Sequence, residues 1–302
     1  MTTASTTLAN PPLASARPAS PRLARLRRLR RDPAALAALA LLLTLALLAL
    51  LAPLLAPYDP TAQPDMVALK NRPPSFAHPL GTDIYSRDVL TRVLYGSRVT
   101  LSVGVLAALL STTLGAAYGA VAGWLGGAVD TVLMRLVDAC LGIPRVLMLL
   151  AIVALWGHVS TPVLVLLIAG TGWFATSRLA RAEVRALRTR PYVEAARALG
   201  AGETRLLVRH VLPHLVPPLL VAATLAVGNV IALEAGLSYL GLGLQPPDAS
   251  WGSIMQDGAD SLTTAWWTTA APGTMIVLTV LAVNILGDGL RDALDPRESD
   301  AS

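Results

Sequence analysis

The sequence predicts an all-α integral membrane protein with about six membrane-spanning helices. Three observations carry that prediction. Of 302 residues, 54% are hydrophobic and only 14% charged, whereas about 25% of residues are charged in an ordinary water-soluble domain. Uncharged runs recur along the chain, each close to the ~20 residues that a helix needs to cross a hydrocarbon core. Basic residues gather at the ends of alternate runs, the distribution that orients membrane helices. Six such spans leave only short loops, so no independent soluble domain fits.

Taken in order, residues 1–33 form a basic tail rich in Ala, Ser, Thr and Pro, a composition that buries too little apolar surface to fold. In it Arg17, Arg22, Arg25, Arg27, Arg28, Arg30 and Arg31 precede the first apolar run. That run, at about 34–56, exceeds the h-region of a signal peptide and lacks a cleavage-type sequence, so it reads as a retained anchor. Further spans are expected at about 99–124, 130–157, 160–177, 215–236 and 266–287. The membrane domain thus covers 34–290, with a short tail at 291–302. The third span is irregular. Asp138 and Arg145 flank Pro144, and a kinked helix beginning near Asp130 accommodates those charges. In the second span Ala107, Ser111, Gly115, Gly119 and Gly123 recur every four residues, a small-residue face that lets another helix approach closely.

Placing the N-terminus inside puts seven basic residues of the first tail, Arg135, eight arginines from 178 to 209 and two in the last tail on the cytoplasmic side. The outer side then receives Lys70, Arg72, Arg87, Arg92 and Arg98. Both termini and the arginine-rich loop are therefore expected in the cytoplasm of a multi-pass protein embedded in membrane lipid. Arginines at the ends of apolar segments, rather than along one soluble face, argue against nucleic acid as a partner.

Within the arginine-rich loop, Pro191 suits the start of a helix, Glu194 its electropositive first turn, and Gly200 the C′ position. A helix of about two turns results. Ala195, Ala196 and Ala198 keep its surface low, so another backbone can approach, while Glu194 and Arg197 offer polar contacts at the edge. After Gly200 a second helix carrying Arg205 and Arg209 runs to Leu212-Pro213. Glu194-Ala195-Ala196, then Gly200, then Leu212-Pro213, set between membrane spans, resembles the EAA loop of ABC importer permeases.

Four more segments extend the resemblance: HPLGTDIYSRDVLTRVLYGSRVTL at 78–101, RHVLP at 209–213, LSYLGLGLQPPDASWG at 237–252 and PGTMIVLTVLAVNILGDGLRDALDPR at 272–297. They look like the C-type permease subunit of dipeptide, oligopeptide and nickel importers. The chain departs from that pattern at Ser86, where Gly usually precedes Arg87-Asp88, and at Gly202, His210 and His214. The resemblance implies a type I importer permease fold whose coupling helix docks on an ATPase through Glu194, Ala195, Ala196, Gly200, Leu212 and Pro213. It also implies a second homologous permease, two cytoplasmic ATP-binding subunits and an extracytoplasmic solute-binding protein as partners. Peptides, or a small solute such as nickel, would cross by alternating access.

Other chemistries find little support. Lys70 is the only lysine and follows Asp-Met-Val-Ala-Leu, so the lysine of a phosphate-binding loop is missing and ATP hydrolysis must belong to another polypeptide. Cys140, alone, allows no internal disulfide, and His78, His158, His210 and His214 have no ligand spacing. No metal site, cofactor or catalytic set is expected, and the protein is not read as an enzyme. Glu234, in the apolar end of the fifth span, is a candidate for the translocation path or a gate; its nearness to the outer interface, where water can reach it, is the plainer explanation. An ion-coupled secondary transporter is the alternative function, but it calls for broken helices or polar ion ligands at mid-membrane, and Asn229, Glu234 and Asn284 are sparse. In the outer loop, Asp83, Arg87, Asp88 and Arg92 have the spacing of i,i+4 pairs on an interfacial helix, and Trp251 reads as an interfacial anchor.

Overall fold

A computed structural model describes residues 32–157 and 159–294. The basic tail before residue 32, His158 and residues 295–302 lie outside the described residues. Helix α1 (Pro33–Leu50) is capped by Asp32, whose carboxylate accepts the Ala34 N–H at 2.9 Å. The first apolar run does not continue as one helix to residue 56: it breaks at Leu51 and restarts as the single turn α2 (Ala52–Leu55), with Pro53 in its first turn, where a missing N–H costs nothing.

Helix α3 (Val89–Leu125) begins ten residues before the predicted second span, since Arg92 and Arg98 lie inside it. Its 37 residues rise about 55 Å at ~1.5 Å each, more than the ~30 Å hydrocarbon thickness, so its ends project from the membrane. The small-residue face of α3 packs on α6 (Thr161–Arg188) of the same chain. A Cβ added at Gly115 would lie 2.6 Å from the Trp173 carbonyl, one at Gly119 would collide with the Ser177 carbonyl, and one at Gly123 would lie 2.8 Å from the Arg181 carbonyl. The contacts advance by four residues on both helices together, so α3 and α6 run parallel, their backbones held close by the absence of side chains.

Between them the chain forms α4 (Gly127–Leu141) and α5 (Arg145–Trp156), bent by 77° at a short break. The stretch expected as a kinked third span falls on this pair, and the bend lies at Gly142–Pro144, where Pro144 cannot continue α4. Asp130 on α4 accepts from Arg181 at 2.5 and 2.6 Å, and Asp138 pairs with Arg178, fastening α4 to the arginine-rich end of α6.

The short helix α7 (Pro191–Ala198) and the single turn α8 (Glu203–Leu206) follow; a π-helical turn at Leu207–Val211 then feeds α9 (Leu212–Tyr239). The widened turn ends two residues before Pro213, whose ring clashes with the carbonyl four residues earlier in a regular α-helix. Helix α10 (Trp251–Gly258) lies across the far end, and α11 (Trp267–Leu294) returns beside α9 and α1. Among the described residues five apolar helices are long enough to cross a membrane, or six if the bent pair counts as one span. Among the described residues the fold is thus wholly helical apart from loops and one isolated bridge, Thr82 with Asp88.

Candidate functional site: the exposed face of the loop helix

Helix α7 sits on the projecting ends of α3, α6 and α9. Val193 is fully buried among Trp124, Ala180, Val184, Leu206, Val211 and Leu215. Its C-terminus closes as a Schellman motif: the Gly200 N–H donates to the Arg197 carbonyl at 2.9 Å and the Ala201 N–H to the Ala196 carbonyl at 3.1 Å. Gly200 supplies the required left-handed backbone at φ +86°. Arg197 donates through Nε to Glu203 at 3.0 Å and approaches the Trp124 ring, as does Arg188. The Tyr192 hydroxyl donates to the His210 carbonyl at 3.4 Å, and its ring leans on His214. The helix is therefore anchored by side chains at both ends.

Anchoring fixes which face remains free. Successive residues turn by ~100°, so the side of Val193 also carries Ala196 and Arg197, and the opposite side carries Glu194, Ala195, Ala198 and Leu199. Ala196 is half-buried against the same apolar cluster; it supports the helix from beneath and does not share the free face with Ala195. Glu194, Ala195 and Ala198 are exposed, and Leu199 is 89% exposed. Leu212 belongs to the supporting cluster, and Pro213, exposed, lies in the first turn of α9. Leu199 is the residue that the sequence pattern hides: an apolar residue just before a C′ glycine normally reads as part of the helix's buried face, and only the position of Val193 shows that it points away.

Glu234 lies elsewhere, near the opposite end of α9. Its side chain is wholly buried; one carboxylate oxygen accepts the Ser238 hydroxyl at 2.7 Å, and the other has no partner among the described residues. Ser238 also meets the Ser250 hydroxyl at 3.3 Å, so Glu234 anchors the polar joint between α9 and the cap of α10. Water does not reach it in this conformation, contrary to the expectation from its nearness to the interface.

The same end of the molecule holds a compact ion network. Arg87 bonds Asp83 and Asp257, each at 2.7 Å, and Arg92 bonds the same two carboxylates, each at 2.8 Å. The i,i+4 pair Asp83–Arg87 forms on a turn, not on a helix, with Ser86 at φ +65°; this is the position where the resemblance called for glycine, and the left-handed backbone is the reason. Trp251 is fully buried, its ring N–H donating to the Val93 carbonyl at 3.1 Å, so it locks α10 to α3 and is not an interfacial anchor. Beside the network opens a cavity of about 620 Å³ lined by Arg87, Arg92, Tyr95 and Arg98.

A helical bundle of this kind, with a braced helix presented on one loop, defines a multi-pass membrane protein. Residues 115–300 match the family of binding-protein-dependent transport system inner membrane components, and residues 21–74 match the N-terminal transmembrane domain of oligopeptide transport permease C. A putative peptide transport system permease protein of Brucella suis is 43% identical over 247 residues, covering 81% of this chain and 82% of that one. A dipeptide transport system permease protein of Bacillus subtilis is 39% identical over 246 residues, covering 81% and 76%. The chain belongs to the binding-protein-dependent transport family, as a permease subunit of an ABC importer.

Proposed function

We propose that this permease carries peptides inward across the cytoplasmic membrane, together with a second homologous permease, two cytoplasmic ATP-binding subunits and an extracytoplasmic solute-binding protein. The observation that carries the coupling part is the free face of α7: Glu194, Ala195, Ala198 and a nearly naked Leu199 on a helix braced from beneath by Val193 and Ala196. An exposed leucine framed by small residues suits a groove on a partner, and the rigid Schellman end lets a push on α7 reach α9 without being lost in a flexible turn. Gly200, Leu212 and Pro213 act here as the joint and the base. Peptide cargo is supported by the relatives, which are named as peptide and dipeptide permeases.

In this reading both termini and α7 face the cytoplasm, and the Asp83–Arg92 network faces outward. Nothing in the substrate is bonded or broken; closure of the ATPases displaces α7, and α9 and α6 transmit the displacement to the spans. Reconstitution with two ATPase subunits, a second permease and a solute-binding protein tests the proposal. Peptide-stimulated ATP hydrolysis and uptake are expected, and hydrolysis indifferent to peptide contradicts the cargo. Reporter fusions at Lys70 and Gly202 should report opposite sides, outside and inside.

A further inference from the structure

The break between α4 and α5 does not suit lipid. Arg145 donates through one terminal nitrogen to the Ile168 carbonyl at 2.8 Å and through Nε to the Thr171 hydroxyl at 3.3 Å. Ile168 and Thr171 stand midway along the uncharged stretch of α6 between Thr161 and Arg178, which puts the guanidinium near the middle of the membrane. Gly172 makes room for it: a Cβ there would lie 2.7 Å from the Arg145 terminal nitrogen. No carboxylate among the described residues forms an ion pair with it, since Asp138 is held by Arg178 and Asp130 by Arg181 and Arg185. A guanidinium has five N–H donors, and three of them have no partner among the described residues. Leu141, Gly142, Ile143 and Pro144 beside it are all exposed, and no described group donates to the carbonyls of Leu141, Gly142 or Ile143.

Unpaired charge and irregular backbone at membrane depth are tolerated only where protein or a watery cavity covers them. A partner helix could cover the apolar side chains but offers no backbone N–H groups to the three carbonyls, because its own are used internally. A peptide in extended form offers both a carboxylate for the cation and amide N–H groups for the carbonyls. We infer that the Gly142–Arg145 break lines the translocation path and that Arg145 binds the C-terminal carboxylate of the peptide in transit.

The inference rests on the peptide-importer reading above. Its test compares uptake of trialanine and trialanine amide by the assembled complex, for wild type, Arg145→Gln and Arg145→Lys at matched membrane abundance. Arg145→Gln should slow the acid by about tenfold or more, the effect of losing a charge-assisted hydrogen bond, and leave the amide near its own wild-type rate; Arg145→Lys should recover part of the acid rate. A second reading does not depend on the binding protein: thiol labelling of Ile143→Cys in a Cys140→Ser background should be slowed by the acid more than by the amide, and this preference should vanish with Arg145→Gln. Equal loss of both peptides, or equal protection by them, makes Arg145 a structural residue or the partner of a carboxylate in the second permease and overturns the inference. No peptide uptake by the wild-type complex overturns the cargo reading, and this inference with it.

Discussion

The amide of Ala201 reaches back across Gly200 to the carbonyl of Ala196 at 3.1 Å, closing helix α7 on itself immediately before the chain turns toward α9. That bond exists only because residue 200 adopts φ +86°. It converts α7 and the following turn into one rigid corner, which is what a lever arm between an external push and a membrane span requires.

Gly200→Val isolates this backbone requirement. No atom lies within 4 Å of a Cβ built at Gly200, so the cost is conformational and not steric contact, about 1–2 kcal/mol for a left-handed residue, and somewhat more for a β-branched one. The corner should open while the spans stay folded. Normal membrane abundance with at least a tenfold lower uptake is expected; unchanged uptake means that the corner transmits nothing.

The outer network should behave as one unit. Asp83 is almost inaccessible and holds both Arg87 and Arg92, whereas Asp257 is partly open to solvent. Asp83→Ala leaves two buried guanidinium groups on one carboxylate and should cost about 3–5 kcal/mol; Asp257→Ala should cost less. Thermal unfolding in detergent checks the order, and a reversed order contradicts the assignment of Asp83 as the inner carboxylate.

Glu234 distinguishes support from gating. Glu234→Gln keeps an acceptor for the Ser238 hydroxyl and should preserve assembly and uptake. Glu234→Leu strands the Ser238 hydroxyl, which loses its acceptor, and should lower stability by about 1–3 kcal/mol. Lost uptake by a normally assembled Glu234→Gln complex would restore a gating role.

Much of this architecture is legible in the sequence because its causes are local. Apolar runs of membrane length, the four-residue period of Gly115, Gly119 and Gly123, and a C′ glycine at 200 each express a rule that acts within a few residues. The kink at Pro144 is visible for the same reason. What stays hidden depends on partners distant in sequence. Arg92 has the spacing to pair with Asp88 on an interfacial helix, and its actual partners stay hidden because Asp83 and Asp257 come from a turn and from α10. Trp251 reads as an interfacial ring because its acceptor, the Val93 carbonyl, lies 158 residues away. Ala196 reads as part of a docking face because the burial of Val193, which turns Ala196 inward, is a property of the packed cluster and not of the helix alone.

The central claim is that the free face of α7 docks an ATPase, and Leu199→Asp addresses it most directly. Leu199 is 89% exposed in this chain, so by itself the change should alter stability by about half a kcal/mol or less. Co-purification of the ATPase subunits with the membrane-inserted permease is the measurement. Wild-type abundance of Leu199→Asp with the ATPases lost is the result predicted; wild-type recovery of the ATPases with Leu199→Asp would contradict the docking face.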